Sequence, residues 1–138
     1  MYAAFYKKYL SALYVPVIWT LLIAIAMCIP GRYIPNESKF GFPNFDKLVH
    51  MGLFGGFVFL WCLYLVKRGM SFGKLLIGFF CFYMLSSGFG VVSEYVQKYW
   101  IPGRDYDLGD IIADLFGAGL GYGFSNLLLL SEGRERNV

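Results

Sequence analysis

The chain has 138 residues, of which 58% are hydrophobic, 20% aromatic and only 15% charged. A soluble domain carries about a quarter charged residues, so this composition argues against a water-soluble globule and for lipid as the surrounding solvent. The formal net charge of +3 is spread over short segments with no basic stripe, which leaves nucleic-acid binding without support.

Four apolar runs follow one another. Residues 11–29, 48–66 and 75–92 contain no Lys, Arg, Asp or Glu, and residues 111–130 contain only Asp114. Each run is close to the roughly 20 residues a helix needs to cross the hydrocarbon core. Barrel strands would be half as long and would alternate apolar with polar residues, whereas these runs are apolar all round. The expected fold is an all-α membrane protein: a four-transmembrane-helix bundle with helices over about 11–29, 48–66, 75–97 and 110–130. No connection exceeds 18 residues, so no soluble domain is expected.

The first run follows Lys7 and Lys8 and contains Ala24-Ile25-Ala26, features of a cleavable signal. It is long for a signal core and ends at Pro30-Gly31 as a helix would, so it is expected to stay. Pro30, Pro35 and Pro43 break the first loop into turns or extended chain. Cys28, Cys62 and Cys81 fall singly in three runs, with no CxxC to bind zinc.

With four crossings, one side holds Lys7, Lys8, Lys67, Arg68, Lys74, Arg134 and Arg136, and the other holds Arg32, Lys39, Lys47, Lys98 and Arg104. The positive-inside rule then puts both termini in the cytoplasm. Glu37 and most of the other acidic residues fall on the outer side. Tyr2, Phe5, Tyr6 and Tyr9 at the start, and Tyr95, Tyr99, Trp100 and Tyr106 near the third loop, suit the membrane interface.

The polar residues form stripes. Asp46 and His50 are i and i+4 on the second helix, with Lys47 three before His50, so Asp46 is the expected neighbour of His50. Ser86, Gly90, Ser93, Glu94 and Gln97 share one face of the third helix, which is expected to run on past the membrane. Asp107 or Asp110 suits the start of the fourth helix. From there Asp110, Asp114, Gly117 and Gly121 share a face. Gly117 and Gly121 form a GxxxG helix-packing motif, and Gly119 and Gly123 form a second. Ionisable groups in a membrane segment are costly and mark functional sites, and the candidate partners of Asp114 and Glu94 are His50, Lys47 and Arg104. The expected polar pocket is Asp46, Lys47, His50, Glu94, Gln97, Arg104, Asp110 and Asp114. Asp110 paired with Arg104 would be a purely architectural alternative. One His among carboxylates is no specific metal signature, so no metal and no cofactor is expected. With no nucleophile elbow, phosphatase signature or HExxH, no catalytic residue is assigned.

The segments DKLVH at 46–50, SEYVQ at 93–97, PGR at 102–104 and DLGDIIADLFGAGLG at 107–121 together resemble the VanZ-like family in order and spacing. One departure is Asp114, where the family usually carries Asn. The resemblance implies a single VanZ-like transmembrane domain over 1–138, a multi-pass protein of the bacterial inner membrane and cell envelope, and a link to glycopeptide (teicoplanin) resistance. Its implied partners are membrane lipids and a lipid-linked cell-wall precursor or the glycopeptide itself. The outward pocket would bind that ligand, with Arg104 and Lys47 available to phosphate or carboxylate. A membrane-embedded enzyme acting on a lipid headgroup by acid–base chemistry, and a small transporter, remain as alternatives.

Overall fold

The structure, a computed structural model, describes residues 11–33 and 44–135, with side chains as far as Leu128. Tyr2, Phe5, Tyr6, Lys7, Lys8, Tyr9, Pro35, Glu37, Lys39, Pro43 and the side chains of Leu130, Arg134 and Arg136 lie outside the described residues. Among those described, the regular structure is helical: α1 (Tyr14–Met27), α2 (Phe45–Lys67), α3 (Phe72–Trp100) and α4 (Leu108–Glu135), with a 3-10 turn at Gly31–Tyr33.

The helix ends follow from local chemistry. Helix α1 stops where the Cys28 N–H turns to the Ile25 carbonyl and Pro30 follows. Asn44, with φ at 59°, precedes α2, and Asn tolerates that left-handed region better than most residues. Gly69, with φ at 68°, terminates α2, as glycine commonly does just beyond a helix. Pro102-Gly103 forms the turn between α3 and α4. Gly103 has φ at 73°, and the Arg104 N–H donates to the Ile101 carbonyl at 3.3 Å, the arrangement of a type II turn.

Helices α2, α3 and α4 are each long and apolar enough to cross a membrane, as a multi-pass membrane protein requires. Helix α1 is a correction. It has 14 residues instead of the 19 expected, about 21 Å at 1.5 Å per residue, because residues 11–13 form turns and Cys28–Ile29 leave the helix. The other helices exceed the expected limits: α2 starts at Phe45, α3 runs from Phe72 to Trp100 and α4 starts at Leu108.

The contacts define an up-and-down arrangement. Trp61 Nε1 donates to Thr20 Oγ1, and Gln97 Nε2 to the Met27 carbonyl. The C-terminal ends of α1 and α3 therefore share one end of the bundle with the N-terminal ends of α2 and α4. The loops before α2 and α4 meet there, the Gly31 N–H donating to the Pro102 carbonyl at 3.1 Å. Helices α2 and α4, parallel to each other, make the closest seam. A Cβ on Gly117 would strike the Met51 backbone, and one on Gly121 would strike the Gly55 backbone. Gly119 and Gly123 face nothing within 4 Å, so among the described residues only the first GxxxG pair packs.

The usual distribution of polarity is inverted. His50, Ser86, Ser93, Glu94, Gln97, Asp114 and Ser125 are buried, while Leu21, Ile25, Ile77, Leu85, Phe116 and Phe124 are exposed. In water this would leave a large apolar surface uncovered; in lipid it is the economical arrangement. The apolar core lies in the other half of the bundle, around Ile23, Phe54, Val58, Cys62, Leu75 and Phe79.

Candidate functional site

Three segments bring the charged residues together. The first turns of α2 carry Asp46, Lys47 and His50. The last turns of α3 carry Glu94, and the start of α4 carries Asp107, Asp110 and Asp114. The glycines make this convergence possible. A Cβ on Gly90 would stand 2.7 Å from that of Asp114, and one on Gly109 would stand 2.7 Å from Lys47 Cε, so larger residues would push both side chains away.

Lys47 is held by carboxylates on both helices: Asp107 at 2.8 Å, Asp110 at 3.0 Å and Asp46 at 3.6 Å. The expectation that Lys47 is free for a phosphate or carboxylate ligand is therefore corrected, because parallel packing of α2 and α4 delivers Asp107 and Asp110 to its ammonium group. Asp110 takes Lys47 as its cation, not Arg104. Among the described residues the Arg104 side chain makes no ion pair, though its charge is felt at Glu94.

Of its two expected neighbours, Asp46 and Asp114, His50 takes Asp114. Its Nδ1–H donates to Asp114 Oδ1 at 2.8 Å, both groups being buried. Where Asp114 is ionised, the proton of this bond sits on Nδ1, and Nε2 faces away from Asp114. Nε2 stands 3.8 Å from Asp110 Oδ2. The i, i+4 spacing put Asp46 on the right face, but Asp46 turns to Lys47, while Asp114 reaches across the seam.

Glu94 Oε2 accepts the backbone N–H of Asp107 at 2.9 Å, linking the end of α3 to the start of α4. Its other oxygen, Oε1, is buried without a hydrogen-bond partner, as are Asp114 Oδ2 and Asp46 Oδ1. Gln97 is buried but stands apart from the cluster, donating to the Met27 carbonyl at 3.3 Å and so joining α3 to α1.

Asp107 was expected only as a possible helix start. It does cap α4, with Oδ1 accepting the Gly109 N–H at 2.6 Å, and it also anchors Lys47 through Oδ2. The hydrogen bond from Lys47, helped by that from Gly109, holds its carboxyl below the usual carboxylate range. The sequence signal for the capping role is the DLGD segment at the helix start. The chain matches no protein-family model, no curated protein and no solved structure.

The arrangement is electrically lopsided. Five carboxylates, from Asp46, Glu94, Asp107, Asp110 and Asp114, are met by one lysine and by the more distant Arg104. The N-terminal dipoles of α2 and α4, both directed at the cluster, offset part of that excess. Beside the site, a groove of about 420 Å³ runs down the α2–α4 seam, lined by Met51, Gly55, Gly117, Gly121 and Phe124. It is apolar and open at the protein surface.

Proposed function

We propose that this chain is a VanZ-like integral membrane protein of the bacterial inner membrane. In this reading it crosses the bilayer four times with both termini in the cytoplasm, and its polar site opens on the outer face. The site engages the headgroup of a lipid-linked cell-wall precursor, and through that precursor it bears on glycopeptide action. The observation that carries the reading is the buried cluster itself. The DKLVH, SEYVQ and DLGD segments, which carry the family resemblance, supply His50, Glu94 and Asp110 to one place in the bundle, where Asp114, the departure from the family pattern, joins them. A glycine-floored apolar groove alongside suits an acyl chain, so a lipid-borne ligand fits both halves of the surface.

The test is expression in a susceptible bacterium, with teicoplanin and vancomycin challenge and analysis of lipid-linked precursor pools. The expected result is raised teicoplanin tolerance with an altered precursor pool, both lost in Glu94→Gln. Unchanged tolerance and unchanged lipids in cells that accumulate the protein would defeat the reading. A reporter fused after Val138 tests the topology: activity in the cytoplasm supports it and periplasmic activity refutes it.

A second reading, acid–base catalysis on a lipid headgroup, is favoured by one observation. His50 is oriented by Asp114 as a general base is oriented by its carboxylate. Release of a modified headgroup from radiolabelled envelope lipid by the purified protein would separate catalysis from binding.

A further inference from the structure

We infer that His50, Glu94 and Asp110 form a binding site for one divalent transition-metal cation. One donor atom from each lies within 4.8 Å of the others, and all three residues are buried. Each is already held in place through its other polar atom: His50 Nδ1 by Asp114, Asp110 Oδ1 by Lys47, and Glu94 Oε2 by the Asp107 N–H. Nε2, Oδ2 and Oε1 remain. Nε2 and Oδ2 are 3.8 Å apart. Donors around a single zinc ion, at about 2.1 Å from it, stand roughly 3.4 Å from one another.

Two further observations point to a cation. Glu94 is 0% exposed, yet its Oε1 has no hydrogen-bond donor, and a buried carboxylate oxygen without a donor is costly unless a cation or a proton meets it. His50 is arranged as metal-binding histidines are, with Nδ1 hydrogen-bonded to a carboxyl group so that Nε2 is fixed in direction. The Asp46 and Asp107 carboxylates add negative charge that Lys47 only partly offsets. One imidazole with two carboxylates suits Zn2+ or Mn2+ better than Ca2+ or Mg2+, which prefer all-oxygen sites. This inference does not depend on the envelope reading; a metal there would also supply the positive charge that Lys47 cannot offer to an anionic headgroup.

The test uses the full chain purified in detergent, loaded separately with Zn2+ and with Mn2+, and dialysed. About one ion per chain is expected, with a melting temperature raised by about 5 °C or more. Mg2+ at the same concentration should give a smaller rise. Pulsed electron paramagnetic resonance of the Mn2+ form should show coupling to one imidazole nitrogen. Glu94→Gln should weaken binding by about 100-fold, while Asp107→Asn, which retains the backbone N–H to Glu94, should leave it within about threefold. Fewer than about 0.1 ions per chain without a thermal shift would overturn the site. So would absence of nitrogen coupling in the wild-type Mn2+ form, a readout that does not depend on any variant folding.

Discussion

Lys47 and Glu94 belong to one cluster, yet they stand in opposite states. The Lys47 ammonium meets three carboxylates, whereas one oxygen of the buried Glu94 meets no donor. The cluster thus has a rim and a floor. The rim is Asp46, Lys47 and Asp107, partly open to solvent, with Lys47 paired to Asp107 across α2 and α4 and to Asp46 on its own helix, where only Asp46 Oδ1 lacks a hydrogen bond. The floor is His50, Glu94, Asp110 and Asp114, buried, with Glu94 Oε1 and Asp114 Oδ2 lacking a hydrogen bond. Paired groups at a margin suit a role in holding helix ends together. Buried groups left unsatisfied have a cost and no structural return, which is the mark of a site kept for a ligand.

Substitutions along this boundary can break or sharpen the distinction. The largest effect is expected for Asp110→Ala, because Asp110 belongs to both layers. It should lose the cellular phenotype and also about 3–5 kcal/mol of stability, since the pair between Lys47 and the buried Asp110 is broken. Denaturation in detergent and protein abundance report the second loss. His50→Ala should come next. It strands Asp114 in a buried position, so it should abolish the phenotype and lower the melting temperature by about 4–8 °C. Full phenotype in either variant would show that the floor is not the working part.

Rim variants should behave differently. Lys47→Met should reduce stability by about 1–2 kcal/mol while activity per folded molecule persists, because the pair it breaks is partly exposed. Loss of activity at normal abundance would move Lys47 into the floor. The smallest effect is expected for Asp107→Asn, which keeps a capping side chain and weakens only the bond to Lys47, within about 0.5–1 kcal/mol. Its pH signature is specific. Because Lys47 holds the Asp107 carboxyl below the usual range, the contribution is complete at neutral pH and is lost as pH falls through the folded value. Melting curves of the wild type and Asp107→Asn should therefore converge on acidification below the ordinary aspartate range. Divergence there would contradict the pairing.

The sequence carries some of this in plain view and hides the rest. The apolar runs expose α2, α3 and α4, since the absence of charge over about 20 residues has few other causes. Helical spacing also exposes the face of Asp110, Asp114, Gly117 and Gly121. What it hides is partnership between helices. Asp46 and Asp114 are both suitable neighbours for His50, and only the parallel seam of α2 and α4 decides for Asp114. Likewise, the two GxxxG pairs look alike in sequence, yet Gly117 and Gly121 lie against Met51 and Gly55 while Gly119 and Gly123 face open space. Donor atoms drawn from three segments leave no spacing signature for a cation, and the bond from Gln97 to Met27 joins residues 70 positions apart.

The central claim, that the buried floor is kept for function, is tested most directly by Glu94→Gln. The substitution preserves shape and the acceptor for the Asp107 N–H while removing the charge. Abundance, melting temperature and cellular phenotype should be measured on the same preparations. The account predicts normal abundance, a melting temperature within about 3 °C of wild type, and loss of the phenotype. A protein that melts well below wild type but keeps full activity per folded molecule would make Glu94 a structural residue and contradict the account.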